Sequence, residues 1–510
     1  MKSKGTVYLV GAGPGDAGLL TLRGAELLRR ADVVIYDMLV NPELLQLAPP
    51  GAELISRGSQ GTSEALSQAQ LNEMIVAHAK AGKCVVRLKG GDPYIFGRGG
   101  EEAEELEAAK IHFEVVPGVS SIVAAPNYAG IPLTHRDHCS TFTVLTGHEH
   151  PEKADSNLNF DEIARIPGTK VILMGLKRLR ELTETLLAKG LPPETPVAMV
   201  RWGTTSRQQS VVGTLATIAD IAEQKKITAP VITIIGSVVK LRSKLNWFEQ
   251  RPLFGQRIVI TRTREQASQL AQQLGELGAE ILEIPTIKLA PPDARDSFVD
   301  ALLELNSYNW LVFTSPNGVT AFFDLFFKQF KDLRDIGGVR IAAIGPATAA
   351  KLTELHLQVD VTPDEALAAN IAAAIHKFED VENLKICLLR AEVATPDLPK
   401  ALEELGAIVD DIAVYKTVPE TEDRTGAGAK LIEGGADWIT FTSASTVEHF
   451  HARFDLPKLL KQFPHAKVAS IGPETSKALS VLGLTASVEA KKHTIDGLVE
   501  TVLAFSKRNS

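Results

Sequence analysis

Cysteine is almost absent from this sequence: Cys84, Cys139 and Cys387 are scattered, odd in number and without C-x-x-C spacing. That argues against a disulfide framework and a thiolate zinc site. Uninterrupted apolar runs of about eighteen residues are also missing, so no membrane-spanning helix is expected. The opening "MKSKGTVYLV" meets Gly11 before an export-signal core can form, and a cytoplasmic protein is the expectation. Nor is there a surplus of positive charge. Lys and Arg number 54 against 62 Asp and Glu, a net −8, which argues against a nucleic-acid binder, whose basic face drives counterion release. Acidic small molecules remain allowed, provided a local basic lining receives them.

What is present is length and alternation. At 510 residues the chain calls for roughly three or four compact units. Strand-like runs such as "VYLVGAG", "ADVVIYD", "CVVRLKGG" and "FEVVPGV" alternate with helical stretches such as "LLTLRGAELLRR" and "QAQLNEMIVAHAKAG". This rhythm implies α/β sheets with functional groups on the loops at strand ends. A second block, about 141–239, continues it with "FTVLTGH", "KVILMG", "PVAMVRWGT" and "PVITIIGSVV". Residues 242–256 then follow neither period, contain Pro252 and Gly255, and are expected to form the principal linker.

Beyond the linker the chain repeats itself. "RIVITR" at Arg257 is matched by "KICLLR" at Lys385, "WLVFTSPNGVTAFF" at Trp310 by "WITFTSASTVEHF" at Trp438, and "RIAAIGPATAAKL" at Arg340 by "KVASIGPETSKAL" at Lys467. The near-constant offset marks a duplicated α/β unit, expected as two lobes with a cleft between them.

The turn "GAGPGD" after the first strand tests a dinucleotide reading. That fingerprint wants glycine at its first, third and sixth positions. Gly11 and Gly13 fit, but Asp16 holds the sixth place and Pro14 removes an N–H from the loop that would cradle pyrophosphate, so a nicotinamide oxidoreductase is disfavoured. "VRLKGGDPYIFGRGGEEAEEL", from Val86, adds a Gly-Gly-Asp turn at a strand end and further glycine breaks. "VVPGVSSIVAAPNYAGIPLTHRD" ends in the polar cluster Thr134, His135, Arg136 and Asp137.

These motifs, with "YDMLV", "TGHE" and "VRWGTTSRQQSVVGTL", resemble the uroporphyrinogen-III C-methyltransferases of the tetrapyrrole methylase family over about residues 5–240. "FTSPNGV", "IGPATA", "VYKT", "FTSAST" and "IGPETS" resemble the uroporphyrinogen-III synthase family over about 255–505. The implied fold is α/β throughout: a two-subdomain methylase (1–116 and 117–241), the linker, then a duplicated, two-lobed flavodoxin-like synthase, lobe one about 257–285 plus 416–510 and lobe two about 286–415. The implied activities are cyclisation of hydroxymethylbilane and C-methylation by S-adenosylmethionine, leaving S-adenosylhomocysteine, without a metal. A homodimer through the methylase half is also implied. The alternative is a methylase of a later corrin intermediate, with the second half as a tetrapyrrole-binding or regulatory module.

Carried onto this sequence, the resemblance implies cofactor contacts at Pro14, Gly90, Gly91, Asp92, Ile95, Ser120, Ser121, Met174 and Gly203, Asp92 accepting from the ribose or the amino group. Met174 alone would read as a core methionine. Asp37 falls where the family places a proton acceptor, although Asp also suits a helix N-cap after a strand. A substrate rich in carboxylates points to Arg23, Lys89, Arg98, His135 and Arg136 as a cationic lining. The "GHEH" at Gly147 reads more readily as solvated than as a metal site. Ser59 stands where the family has a lysine proton donor; the lysine is dispensable, or Arg57 or another cation substitutes, or methylation is slow. In the synthase half, Tyr415 is placed to donate to the departing hydroxyl, or serves as a strand-end aromatic. Ser315, Asn317, Thr442, Ser443 and Ser445 lie on strand-to-helix turns that offer N–H groups and hydroxyls to carboxylates, and Arg262 and Arg390 add charge at equivalent places.

Overall fold

The computed structural model describes residues 5–58, 66–147, 158–261, 264–363, 368–423 and 425–508. In its first sheet, β1 (Val7–Gly11), β2 (Val33–Tyr36), β3 (Glu53–Ser56), β4 (Val85–Lys89) and β5 (Phe113–Val116) run parallel in the order β3-β2-β4-β1-β5. Both faces are covered. Val7, Leu9 and Val85 pack with Leu71, Ile75 and Leu106 on one side, and Val10, Val34 and Leu88 with Leu27 and Leu44 on the other. A parallel sheet buried on both faces needs apolar residues at both parities, which is why β1 and β2 read as continuous apolar runs.

The second sheet contains β6 (Phe142–Thr146), β7 (Thr169–Leu173), β8 (Pro196–Arg201), β9 (Gln209–Thr214) and β10 (Val231–Ile235) in the order β6-β7-β10-β8-β9. Only β6 and β7 pair in parallel. The β8–β9 hairpin aims its connection, residues 202–208, back toward the first sheet's glycine turn.

In the C-terminal half, β11 (Arg257–Ile260) and β12 (Glu280–Glu283) are followed by β13 (Ile287–Ala290), β14 (Trp310–Phe313), β15 (Arg340–Ala343), β16 (Lys385–Ala391) and β17 (Ile408–Pro419), then by β18 (Trp438–Phe441), β19 (Lys467–Ser470) and β20 (Val488–Glu489). The third sheet, β12-β11-β18-β19-β20, is parallel in the flavodoxin-like order. The fourth, β13-β17-β16-β14-β15, repeats that order in its last four strands and adds β13 antiparallel to the end of β17. The sequence repeat cuts across both sheets. Strand β11 of the first repeat pairs with β18 of the second at Ile258↔Trp438, and β16 of the second pairs with β14 of the first at Ile386↔Trp310. Each sheet therefore takes its central strands from both copies.

Two compact units result, residues 1–284 with 422–510, and residues 285–421. Among the described residues no helix is long and apolar enough to cross a membrane.

Residues 242–256, expected as a linker, form a packed strap. Trp247 and Phe248 lie against the Tyr128 ring at centroid distances of 5.0 and 4.7 Å. Five residues later Leu253 is buried among Ile258, Leu270 and Leu274 beneath the third sheet, and its N–H donates to Leu277 O at 2.9 Å. The stretch lacks a period because its apolar side chains serve separate pockets rather than one face.

Candidate functional site

The ends of β1, β4 and β5 meet in a knot of glycines. Ala12 N donates to Lys89 O at 2.7 Å, and Gly13 and Gly91 exchange backbone bonds of 3.2 and 2.7 Å. A Cβ on Gly11 would lie 2.5 Å from Gly118 Cα, and one on Gly118 would lie 2.2 Å from Gly91 O, so these two positions are glycine for contact between backbones. Gly90 and Gly91 differ. The nearest atom to a Cβ on either is 3.8 Å away, and Gly91 has φ +68°; the peptides here form an open floor. Asp92 clamps it, accepting from Gly118 N at 3.0 Å and Tyr94 N at 2.8 Å. Each oxygen of this carboxylate, expected on a ribose or amino group, accepts one backbone N–H and keeps a second lone pair for a ligand donor.

Around the floor, Ser120 caps the helix Ser121–Tyr128 by accepting from Ile122 N. A Cβ on Gly203 would meet Ala125 Cβ of that helix at 2.5 Å, and Gly15, beside Pro14, lies against Gly203 and Thr205. The loop of Pro14, the turn Gly90–Asp92, Ser120–Ser121 and Gly203 are thus brought together. Ile95 and Met174 are 41% and 50% exposed, and Met174 has φ +55°, which is not the setting of a core methionine.

Asp37 follows β2, beside the turn that follows β4, its N–H donating to Leu88 O. It caps no helix; Asn41 caps the next turn. The Asp37 carboxylate instead accepts from Arg87 Nη2 at 2.5 Å, with Arg57 Nη1 at 3.8 Å. Arg87, with no exposed surface, also donates to Glu102 Oε1 at 3.3 Å, and Lys89 Nζ reaches the same oxygen at 2.8 Å. Burial, and then Arg87 beside it, push the Lys89 ammonium below its ordinary value, against the pull of Glu102.

The expected cationic lining is therefore only partly open. Lys89 is buried and committed to Glu102. Arg23 pairs with Glu114 at 2.8 Å and with Glu26, and Arg98 with Glu101 at 2.5 Å. His135 lies 3.9 Å from Asp137, and Arg136 is exposed without an ion pair among the described residues. Ser59 and His148–His150 lie outside the described residues. Among the described residues no group of three or more His, Cys, Asp or Glu is arranged to hold a metal.

In the C-terminal half the Ser and Thr turns stand at the ends of parallel strands, the ligand-facing ends of such sheets. Ser315 follows β14 and caps the helix Pro316–Gln329, whose second residue is Asn317. Tyr415 shares a 3.2 Å hydrogen bond with Ser315 through its hydroxyl. A register shift in the pairing of β16 with β17, at Arg390/Ala391, re-aims the tyrosine. In the third sheet, Thr442 and Ser443 follow β18, Ser443 forms a capping box with Thr446, and Ser445 lies 3.0 Å from Ser443. Arg390, expected as an open cation, forks onto Asp411 and donates to Thr395 O at 2.6 Å. Arg262 lies outside the described residues.

The family described as Tetrapyrrole (Corrin/Porphyrin) Methylases matches residues 6–219, and that described as Uroporphyrinogen-III synthase HemD matches residues 268–500. The porphyrin biosynthesis protein HemD of Ruminiclostridium josui is 38% identical over 507 residues, covering 99% of each chain. The chain belongs to the family of tetrapyrrole methylases fused to uroporphyrinogen-III synthase. Its methylase half is also 52% identical over 247 residues to the S-adenosyl-L-methionine-dependent uroporphyrinogen III methyltransferase of Methanosarcina barkeri, covering 48% of this chain and 96% of that one. A solved structure of the Thermus thermophilus uroporphyrin-III C-methyltransferase with S-adenyl homocysteine aligns at TM-score 0.40 and 38% identity, over 46% of this chain and 100% of that one.

The motif reading of the methylase half missed Arg87 and Glu102, and a signal for both was present. Two basic residues at i and i+2 in an otherwise apolar strand share one face, and buried cations demand an anion. The acidic helix start at Glu101–Glu102 was the nearest supply.

Proposed function

We propose that this chain makes and then methylates one macrocycle. The synthase half cyclises hydroxymethylbilane to uroporphyrinogen III with loss of water. The methylase half transfers two methyl groups from S-adenosylmethionine, giving precorrin-2 for siroheme or cobalamin. The observation that carries the reading is the open peptide floor at Gly90–Gly91 beside the Asp37 carboxylate, in a chain whose other half belongs to the synthase family.

The residues fit the cofactor: a flat adenosyl group needs peptide surface without side chains, and Gly90 and Gly91 leave that space free while Gly11 and Gly118 are filled by backbone. Pro14, Ile95, Ser120, Ser121, Met174 and Gly203 border it. Bound S-adenosylmethionine supplies a methyl group on a cationic sulfur, and the bond pair leaves with that sulfur. The chain's own task is alignment of the attacking pyrrole carbon with methyl and sulfur. The methylated ring then carries positive charge and loses a proton, which the Asp37 carboxylate accepts. Arg87 and Arg57, both beside Oδ1, fix the direction of that carboxylate. Arg136 and His135 remain open to substrate carboxylates.

Asp37→Asn keeps the shape and removes the base. Single-turnover methylation is expected to fall about 100-fold or more, with S-adenosylhomocysteine affinity by calorimetry staying within about twofold. A rate within threefold of the parent would remove Asp37 from the proton transfer.

In the synthase half, we assign the Tyr415 hydroxyl, held by Ser315, to the departing hydroxyl of hydroxymethylbilane. Asn317, Thr442, Ser443 and Ser445, at or beside helix N-termini, receive carboxylates. The reading includes a cytoplasmic location and a homodimer through the methylase half, tested by sedimentation of the full chain. The activities are tested by supplying enzymatically generated hydroxymethylbilane with and without S-adenosylmethionine. Type-III macrocycle is expected without the cofactor and its dimethylated product with it. Type-I isomer alone would overturn the synthase assignment, and type-III product that never gains methyl groups would overturn the methylase assignment.

A further inference from the structure

A closed hydrogen-bonded circuit joins the strap to the glycine turn. Tyr128 donates its hydroxyl to Asp16 Oδ2 at 2.7 Å. Burial, then that carboxylate, push the Tyr128 phenol up, so its proton stays on oxygen. The Asp16 N–H donates to Thr204 Oγ1 at 3.0 Å, and the Thr204 N–H to Gln208 Oε1 at 2.9 Å. Gln208 Nε2 in turn donates to Glu249 Oε1 of the strap at 2.8 Å and to the Tyr128 carbonyl at 3.2 Å. Glu249 also accepts from Ser210 Oγ at 2.6 Å and from Arg242, which holds Ala129 O at 2.5 Å. Thr204 and Gln208 are buried. Partial loss of such a network exposes the remaining partners to an unpaired, low-dielectric setting.

The circuit exceeds what packing of the strap requires. A phenylalanine at 128 would fill the same space against Trp247 and Phe248, and an aliphatic residue at 249 would need neither Gln208 nor Ser210. What the polar groups add is direction: the Tyr128 hydroxyl leads to Asp16, and Gln208 joins Glu249 to the loop of Gly203 and Thr204.

We infer that Tyr128 and Glu249 are positioning residues for S-adenosylmethionine, through which the strap between the two enzymes sets the Pro14–Asp16 wall of the methylase's cofactor site. The inference rests on the reading that this turn borders the cofactor. Because the strap runs on to Leu253 in the core of the third sheet, the methyl-donor site is braced from the synthase side of the chain.

The test uses the full chain with Tyr128→Phe and Glu249→Gln. Four quantities are read: S-adenosylhomocysteine affinity by calorimetry, amide hydrogen exchange over residues 12–18, methylation kinetics, and synthase rate. Each variant is expected to weaken affinity about five- to tenfold, the loss of one hydrogen bond to a charged group shared between binding and folding. Exchange at Asp16–Gly18 should quicken, KM for S-adenosylmethionine should rise with kcat within about twofold, and the synthase rate should hold. Trp247→Phe should retain parental affinity and Trp247→Ala should not. Unchanged affinity together with unchanged exchange would overturn the inference. Faster exchange with unchanged affinity would overturn it by showing that the turn moves without bordering the cofactor, which locates the error in that reading. Affinity lost alongside the synthase rate and the melting temperature would also overturn it, as general destabilisation. If Glu249→Gln does not fold, Tyr128→Phe alone decides.

Discussion

Alanine at Gly118 is expected to abolish methyl transfer while leaving the synthase running. Its Cβ would lie 2.2 Å from Gly91 O and 2.7 Å from Gly11 Cα, and neither neighbour is a side chain that can rotate away. Over-packing costs about 1–3 kcal/mol even where side chains adjust. Here the ends of β1, β4 and β5 must part, which breaks the Gly13–Gly91 bridge and tilts the Gly90–Gly91 floor. S-adenosylhomocysteine binding should fall below detection in calorimetry, and hydroxymethylbilane should be turned into unmethylated type-III macrocycle. Gly100→Ala is the control: a Cβ there meets nothing within 4 Å and sits in the helix Gly99–Ala108, so stability should rise by about 0.4–1 kcal/mol. Tight cofactor binding by Gly118→Ala would show that the glycine knot does not set the floor.

Glu102→Leu is expected to destabilise the methylase half by about 3–5 kcal/mol, as breaking a buried ion pair on one side does. One carboxylate, 1% exposed, serves both Arg87 and Lys89, so its loss leaves two buried cations with Asp37 as their nearest remaining anion. The first transition in scanning calorimetry should move down by several degrees. Adding Lys89→Met should recover part of the loss, because it removes one of the stranded charges and fills the space with an apolar chain of similar length. A double variant no more stable than Glu102→Leu would mean that Lys89 is not held by Glu102. Asp37 should feel the change as well, since it becomes the one carboxylate still paired with Arg87 among the described residues.

Much of this architecture was legible in the chain. Strand and helix alternation foretold the α/β sheets, and the repeats at Trp310 and Trp438 foretold equivalent strands, seen as matched registers with Ile386 and Ile258. The glycine motifs marked turns at the strand ends. They did not say which glycines meet backbone and which face open space, because that depends on three strand ends distant in sequence. The buried charge chain was harder to see. The linear motif reads Lys89 as a cation lining the substrate site, and the parallel sheet with helices on both faces turns it inward onto Glu102. Arg390 escaped for the same reason, since its partner Asp411 comes from the neighbouring strand. The strap was illegible because periodicity detects one buried face, whereas Trp247 and Phe248 pack on Tyr128 and Leu253 enters the core of the third sheet.

The crossing of the two repeats has a consequence for the birth of the protein. Arg257 N donates to Asp437 Oδ2 across 180 residues, and β11 cannot pair with β18 until that length has been synthesised. At roughly 5–20 residues per second, the interval is about 10–40 s on the ribosome. The unit of residues 285–421 emerges whole during that wait and can close first, whereas β11 and β12 must idle with Ile258, Val259 and Ile260 uncovered. The strap, whose Trp247 and Phe248 pack on Tyr128 of the methylase half, joins that waiting edge to a part of the chain already synthesised.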